Sequence, residues 1–208
     1  NLSNSGIDRI QVYVKEKPRT LVSHIGTGRH YNINSKSGRL QVLFTDSDQR
    51  NNIYNTDIAS YYENMECIEE MHHPYVVITP DYMVYTADFS KLIEQHIQSE
   101  ADITLLYHAV DNAKDAYLNC NILNLNKQKG VLSIEPNHGN AKNRNIFMDT
   151  YIMKKDLFIE LIRKAKAISS AFTLADIINE LHNELEFPTA ASSLPSQISR
   201  AITTPIWI

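Results

Sequence analysis

Glycine is scarce in this sequence: only six of its 208 residues are glycine, about 3% where roughly 7% is usual in soluble proteins. These glycines cannot be assembled into G-x-G-x-x-G or G-x-x-x-x-G-K-[ST], the patterns that cradle phosphate groups on backbone N–H donors. A protein that binds phosphate on a glycine-rich loop would therefore have to keep that loop outside this sequence.

Cysteine is rare and basic residues are not in excess. Cys67 and Cys120 are the only cysteines, and each lies in an apolar pattern, which predicts two buried free thiols; a disulfide or a metal site is the minor alternative. The net charge is -4 and the pI about 6.1, whereas nucleic-acid-binding proteins carry a basic excess or a basic patch. The composition therefore argues against nucleic acid as a partner.

Long apolar runs are absent as well. No stretch of the sequence approaches the roughly 18 apolar residues of a membrane-spanning helix. Residues 1–5 have neither the basic nor the apolar region of a signal peptide. Hydrophobic residues still make up 43% of the chain and charged residues 21%, which suits a folded domain with an apolar core. We expect a soluble cytoplasmic protein with no membrane partner.

Strand-like and helix-like patterns alternate along the chain. Strands are predicted at residues 9–14, 40–44, 75–79 and 103–107, then around 118–122, 131–134 and 146–152. Helices are predicted at residues 17–25, 56–71, 88–97, 157–165 and 173–185. The continuous apolar run at 75–79 is typical of a strand buried on both faces, as in a parallel sheet. This alternation predicts an α/β fold.

Asp81 is the strongest single candidate for a binding role. It follows directly after the predicted strand 75–79, at the edge where open α/β sheets bind their ligands. A carboxylate there can hold a divalent metal against phosphate groups. The alternative is a turn residue, because Pro80-Asp81 is common turn chemistry.

A second candidate group opens the predicted helix 56–71. Asn55, Thr56 and Asp57 could present a helix N-terminus to a phosphate. A negative Asp57 repels an anion, however, so helix capping by Thr56 and Asp57 is the competing interpretation.

Several short segments, in order along the chain, resemble one known family. Residues 1–7 resemble N-x-x-N-S-G-I, residues 21–28 resemble S-L-x-x-H-I-x-x-G, and residues 54–59 stand where that family has G-T-A-D-A. Residues 76–81 with 85–89 resemble L-x-L-x-G-D-H-I-Y-K-M-D-Y, and residues 148–153 resemble S-M-G-x-Y-I-F. The family is the nucleotidyltransferase domain of bacterial glucose-1-phosphate adenylyltransferase, and the similarity runs to about residue 180.

The resemblance implies a fold, a reaction and a set of site residues. The fold would be a Rossmann-like three-layer α/β/α nucleotidyltransferase domain over residues 1–186, lacking its first strand and its glycine-rich loop. The reaction joins ATP and glucose 1-phosphate to give ADP-glucose and pyrophosphate in glycogen biosynthesis, with Mg²⁺ as cofactor. Asp81 would be the metal ligand, and substrate-binding positions would fall at residues 55–57 and Asp149.

The departures from the family patterns point to a weakened site. Pro80 replaces the glycine before Asp81, Thr86 replaces the lysine of Y-K-M-D, and Asp149 replaces the glycine of S-M-G. Asn55 replaces the glycine of G-T, and residues 133–136 lack the lysine of F-x-E-K-P. These losses resemble the D-type (GlgD) regulatory subunit. That resemblance implies little activity alone and assembly with a catalytic subunit or self-association.

Two alternatives remain open at this point. The chain could be an active sugar-phosphate nucleotidyltransferase whose phosphate loop lies outside this sequence, or a non-enzymatic interaction module. Residues 187–208 show no hexapeptide repeat of the β-helix domain that the family carries, so we expect an irregular C-terminal tail there.

Overall fold

The computed structural model describes residues 2, 5–7, 9–14, 21, 23, 39–45, 54–184 and 189–193. Its elements in chain order are β1 (Arg9–Val14), β2 (Arg39–Phe44), α1 (Asp57–Glu63), α2 (Met65–Glu69), β3 (Tyr75–Ile78), α3 (Phe89–Ser99), β4 (Ile103–Val110), β5 (Asn121–Leu125), β6 (Val131–Pro136), β7 (Arg144–Lys154), α4 (Lys155–Ile168), α5 (Leu174–Glu184) and β8 (Thr189–Ser193). Leu21 and Ser23 of the helix predicted at 17–25 are helical. The rest of that helix lies outside the described residues.

The chain divides into two compact units. The first comprises Asn1–His72 with Ile159–Ile177, and the second comprises His73–Phe158 with Ile178–Trp207. Strands and helices occur in both units, which confirms the α/β class predicted from the alternating patterns. Within the described part of the chain, none of the helices combines the length and the apolar character that spanning a bilayer demands.

Strands β1 and β2 of the first unit form a parallel pair. They align without a register shift from Arg9 opposite Arg39 to Val14 opposite Phe44, and both begin with the pattern R-x-Q-V. The first helical region differs from the single helix predicted at 56–71, because it breaks at Asn64. The Asn64 side chain donates hydrogen bonds to the carbonyls of Ser60 and Phe44. Asparagine competes with the helical ladder in this way.

The second unit is built on a mixed sheet in the order β6-β5-β7-β4-β8, and β3 also pairs with β7. All the pairs are antiparallel except β4 with β8. Fully buried side chains line this sheet, among them Leu105, Phe147, Ile152 and Met153. Burial of such side chains supplies most of the stabilisation of the unit, about 1.5–3 kcal/mol for each large apolar side chain.

The structure corrects two expectations about the strands. Strand β3 is antiparallel to β7 rather than part of a parallel sheet, and among its four residues only Val76 is buried. A short apolar run carries no information on its pairing partner, so this orientation was not predictable. In the tail expected to be irregular, Thr189–Ser193 form β8 instead, parallel to β4. Strand β8 is rich in alanine and serine and has no apolar alternation to reveal it.

Local sequence signals were reliable at helix starts and at the hairpin. The side chain of Asp88 accepts from Lys91 N at the start of α3, and Thr173 Oγ1 accepts from Asp176 N at the start of α5. Residues 126–130 form the turn between β5 and β6, where Asn126 Oδ1 accepts from Gly130 N. Both cysteines are free, as expected; Cys120 is buried and Cys67 half-buried.

His96 is a titratable group in the core of the second unit. Its side chain is 2% exposed, its Nδ1 lies 2.8 Å from Thr104 Oγ1, and its ring meets Tyr75 edge-on at 5.6 Å. Burial lowers the pKa of His96 below its ordinary value, the charge of Lys154 lowers it further, and Asp102 acts in the opposite direction. The neutral imidazole is therefore the form that the fold stabilises.

We predict that this histidine makes the protein sensitive to acid. Because the folded pKa lies below the unfolded value of about 6.5, the unfolded chain binds the proton first as the pH falls. The free energy of unfolding should decline below about pH 6.5, by no more than about 1.4 kcal/mol per pH unit for one proton. His96→Gln should remove that part of the slope in urea titrations between pH 7.5 and 5, whereas His72→Gln, at an exposed position, should not. Parallel profiles for the wild-type chain and His96→Gln would show that His96 does not contribute.

Candidate functional site

The predicted site residues fall in both units. Residues 55–57 belong to the first unit, and Asp81 and Asp149 belong to the second. Each group is held by contacts within its own unit.

Thr56 and Asp57 start helix α1. Thr56 is buried, and its Oγ1 accepts a hydrogen bond from Ala59 N at 3.2 Å. Asn55 is half-buried directly before it. The Thr56 hydroxyl is therefore engaged as a helix cap, which is the role that the sequence offered as the alternative to phosphate binding.

The Asp57 carboxylate joins the starts of two helices. Its Oδ1 accepts from Ile58 N at 2.8 Å in α1. Both of its oxygens also accept from Leu174 N, the first residue of α5, at 3.2 Å. Helix N-termini carry unsatisfied N–H groups and a partial positive charge. The carboxylate thus supplies internally the negative charge that these two helix starts would otherwise attract from outside.

We predict that Asp57→Ala destabilises the chain by about 1–2 kcal/mol, because two helix starts lose an acceptor and an anion at once. Asp57→Asn is the matched control: it retains one acceptor oxygen without the charge and should cost about half as much. Chemical denaturation of the three proteins at neutral pH measures both values. An Asp57→Ala protein as stable as the wild-type chain would contradict the bridging role.

Asp81 lies in the loop that follows strand β3, and its side chain is exposed. Tyr82, the next residue, donates a hydrogen bond from its hydroxyl to Asp149 Oδ2 at 2.6 Å. The charges of Asp149 and Asp81 both act on the Tyr82 hydroxyl. The structure therefore brings Asp149 into contact with the residue that follows Asp81, although 67 positions separate Tyr82 from Asp149.

Asp149 accepts hydrogen bonds from two tyrosines. In addition to Tyr82, the hydroxyl of Tyr151 donates to Asp149 Oδ1 at 2.8 Å. Both carboxylate oxygens are therefore engaged within the chain. The pKa of Tyr82 is raised, first by burial and then by the negative charge of Asp149. Burial and the Asp149 charge also raise the pKa of the Cys120 thiol. In both shifts burial is the larger cause and the Asp149 charge the second.

The backbone of Asp149 is left-handed, with φ +48°. Leu105 pairs with Tyr151 and Tyr107 with Phe147, so that Leu106 alone faces residues 148–150. The extra residues form a bulge in β7. A left-handed conformation strains most residues other than glycine, although aspartate and asparagine tolerate it better. Glycine is the residue that the family resemblance places at this position.

The other side of the bulge is anchored inside the unit. Thr150 is fully buried, and its Oγ1 lies 2.5 Å from the hydroxyl of Tyr85. The same hydroxyl lies 3.1 Å from Thr79 Oγ1 at the end of β3. Tyr82 and Tyr85 therefore tie the loop that carries Asp81 to the bulge of β7. Sequence reasoning missed these tyrosines, because nothing in the pattern of residues 79–89 links them to residues 149–151.

The segment that lacks the family's lysine has its own hydrogen-bonded arrangement. On β6, Ser133 Oγ donates to Glu135 Oε1 at 2.7 Å. This bond lowers the pKa of the exposed Glu135, and Asn124 acts in the same direction. The side chain of Asn179 in α5 forms two hydrogen bonds with the backbone of Ile134: it accepts from the N–H and donates to the carbonyl. Residues 133–136 therefore carry a glutamate without the lysine that the family pattern places after it.

A protein-held metal site is not complete in the part of the chain that the structure describes. No group of three or more His, Cys, Asp or Glu residues there is arranged to hold a metal ion. Asp81 is a single exposed carboxylate, and both oxygens of Asp149 accept tyrosine hydroxyls. Mg²⁺ takes several oxygen ligands, many of them from water and substrate. These residues alone do not fit a resident Mg²⁺ ion.

Comparison with known families identifies the class of this protein. The family model described as nucleotidyl transferase matches residues 1–187. The chain belongs to this family of nucleotide-transferring proteins.

Particular relatives carry a more specific name. The glucose-1-phosphate adenylyltransferase of Clostridioides difficile is 26% identical over 167 residues, which cover 80% of this chain and 43% of that protein. The protein of the same name from Fusobacterium nucleatum is 34% identical over 107 residues, 50% of this chain and 28% of that protein. The chain thus spans at most about two fifths of these curated relatives.

Two solved structures share the fold. HddC from Yersinia pseudotuberculosis matches with a TM-score of 0.66 at 14% identity, covering 92% of this chain and 72% of that one. A putative glucose-1-phosphate thymidylyltransferase from Bacillus anthracis matches with a TM-score of 0.68 at 13% identity, covering 95% and 72%. Together with the family match, these similarities confirm the mixed α/β nucleotidyltransferase fold.

We predict that glycine at position 149 gives a more stable protein than alanine, because the backbone there is left-handed. This is the reverse of the usual order. Asp149→Ala and Asp149→Gly lose the same two hydrogen bonds, but only alanine keeps the strain of a positive φ. Asp149→Gly should therefore be more stable than Asp149→Ala by about 1 kcal/mol. In an ordinary strand, glycine would be the less stable of the two.

Urea denaturation of both variants and of Asp149→Asn measures this difference. The asparagine tolerates the left-handed region and retains an acceptor, so its stability should lie nearest to that of the wild-type chain. If alanine proves as stable as glycine, residue 149 does not have a positive φ in solution.

Proposed function

We propose that this chain is part of a glucose-1-phosphate adenylyltransferase subunit with a regulatory role and little catalytic activity of its own. The family match supports the nucleotidyltransferase class. The relatives named glucose-1-phosphate adenylyltransferase support the choice of ATP and glucose 1-phosphate as substrates. The chain would act within glycogen biosynthesis, where the reaction supplies ADP-glucose.

The carboxylate of Asp149 is the observation that carries the regulatory part of the proposal. Both substrates of the reaction are phosphate esters with several negative charges. Like charges about 4 Å apart repel by about 4 kcal/mol at an effective dielectric constant of about 20. That energy corresponds to about a thousandfold loss of affinity. A carboxylate at the bulge of β7, with Asp81 acting on the same tyrosine, opposes binding of a phosphate ester there.

The hydrogen bonds of Asp149 hold its carboxylate in the position from which it would repel a phosphate ester. A free surface aspartate can turn away from a ligand, but Asp149 is held by Tyr82 and Tyr151 at 2.6 and 2.8 Å. Catalysis of nucleotidyl transfer depends on neutralising phosphate charge by positioned cations and donors. A chain with these features is better suited to binding a partner subunit than to the chemical step.

A catalytic subunit of the same enzyme is the partner that we propose. In that complex, the catalytic subunit would perform the reaction and this chain would alter its kinetic parameters. Mg²⁺ would enter with the nucleotide on the catalytic subunit, since the described residues of this chain do not form a metal site.

The proposal predicts the outcome of an activity assay. The purified chain, supplied with ATP, glucose 1-phosphate and Mg²⁺, should form ADP-glucose at least about a thousandfold more slowly than a catalytic member, as the repulsion estimated above requires. Pyrophosphate release and chromatography of ADP-glucose provide two independent measurements.

The regulatory part of the proposal needs a second experiment, in which this chain is combined with a catalytic subunit. Addition of the chain to the catalytic subunit from the same organism should change the KM or kcat of that subunit, and the two should elute together in size-exclusion chromatography. A rate typical of catalytic members for the chain alone would overturn the proposal. So would the absence of any effect on the catalytic subunit.

A further inference from the structure

The Tyr82–Asp149–Tyr151 cluster is a complete hydrogen-bonding unit formed by one acid and two hydroxyl donors. Tyr82 reaches Asp149 Oδ2 from the loop after β3, and Tyr151 reaches Oδ1 from β7 itself. Tyrosine hydroxyls donate readily to anionic oxygens, and such charge-assisted bonds are stronger than neutral ones. Both donors face one small volume, and the carboxylate fills it.

This arrangement is maintained against a conformational cost. Asp149 has a positive φ within a strand, a state that persists only where the surroundings over-determine it. The surroundings here are the two tyrosines on one side and the buried Thr150–Tyr85–Thr79 chain on the other. Strained residues of this kind concentrate at ligand sites and switches. The hydrogen bonds of Asp149 and Thr150 are the contacts that hold this conformation.

Tyr82 is accessible from outside. The residue is 47% exposed, and its hydroxyl donates to Asp149. The hydroxyl of Tyr151 belongs to a buried side chain and meets the same carboxylate. Removal of the Asp149 side chain would take away the acceptor that these two hydroxyls share.

We propose that the Asp149 carboxylate is a built-in substitute for ligand oxygens: it accepts the hydroxyls of Tyr82 and Tyr151 that would otherwise donate to a sugar phosphate. The choice of a sugar phosphate rests on the proposed function. Tyr82 and Tyr151 are then the ligand-binding residues of the site, and Asp149 is the residue that closes it. This role differs from charge repulsion alone. If the Asp149 carboxylate occupies the place of the ligand oxygens, its side chain must move away before the two tyrosine hydroxyls can donate to a ligand.

Binding measurements on four proteins separate these possibilities. Calorimetric titration with glucose 1-phosphate, and with inorganic phosphate as a smaller probe, is made on the wild-type chain, Asp149→Gly, Asp149→Asn and the double variant Asp149→Gly with Tyr82→Phe. Asp149→Gly should bind glucose 1-phosphate at least about tenfold more tightly than the wild-type chain. The double variant should lose at least about tenfold of that gain, because one donor to the ligand is gone.

The variant Asp149→Asn distinguishes occupation of the site by the side chain from repulsion by its negative charge. It removes the charge but keeps a side chain of the same size and an oxygen acceptor, so it should bind more weakly than Asp149→Gly. Equal binding by the two variants would overturn the proposal in favour of repulsion alone. No gain in Asp149→Gly, or no loss in the double variant, would overturn it as well. An Asp149→Gly chain that unfolds at a lower temperature than Asp149→Ala would remove its structural basis.

The activity assay of the wild-type chain decides the proposed function independently of this series. A wild-type chain that forms ADP-glucose at a catalytic rate would overturn the proposed function whatever the variants bind. A wild-type chain that is inactive, with variants that gain no affinity, would overturn the role of Asp149 as an internal ligand. It would also overturn the use of the Asp149 carboxylate to explain the low activity, but not the low activity itself.

Discussion

The second unit depends on the pairing of the long strand β7. Strands β3, β4 and β5 all pair with it, and β8 joins through β4. Its buried side chains, including Phe147 and Met153, are part of the core, so β7 cannot shift in register without turning them outward. The bulge at residues 148–150 is consequently held from both ends. That constraint places Asp149 outside the regular ladder and within reach of Tyr82.

Two aspartates that the sequence offers as ligand-binding residues form their hydrogen bonds within the chain. Asp57 accepts from the starts of α1 and α5, and Asp149 accepts from two tyrosines. In each case the fixed carboxylate satisfies donors within the chain. An intramolecular carboxylate has no association entropy to lose, and it therefore competes effectively with a dissolved phosphate ester for the same donors. This internal pairing, found in both units, supports the proposal that the chain binds phosphate esters poorly.

Much of the fold was predictable from local patterns. Periodicity and capping residues located α3, α4 and α5 and the strands β1, β2 and β4, because amphipathic spacing and N-caps act over a few residues. The break at Asn64, the antiparallel pairing of β3 and the strand β8 were not predictable. Each depends on a partner distant in sequence: the Asn64 side chain reaches Phe44, β3 pairs with β7, and β8 lies beside β4. Of the candidate site, Asp81 and Asp149 were identified as acids, but their common tyrosine was not.

The sequence by itself determined the α/β class, the helix starts, the family resemblance and the absence of a glycine-rich phosphate loop. All of these follow from residue types at short spacing. Only the tertiary structure decided what the acidic residues do. Whether a carboxylate binds a ligand or satisfies a neighbour depends on which donors lie within about 3 Å of it, and those donors come from Leu174, Tyr82 and Tyr151. Leu174 and Tyr82 are far in sequence from the aspartates that they contact, and only folding brings them within hydrogen-bonding distance.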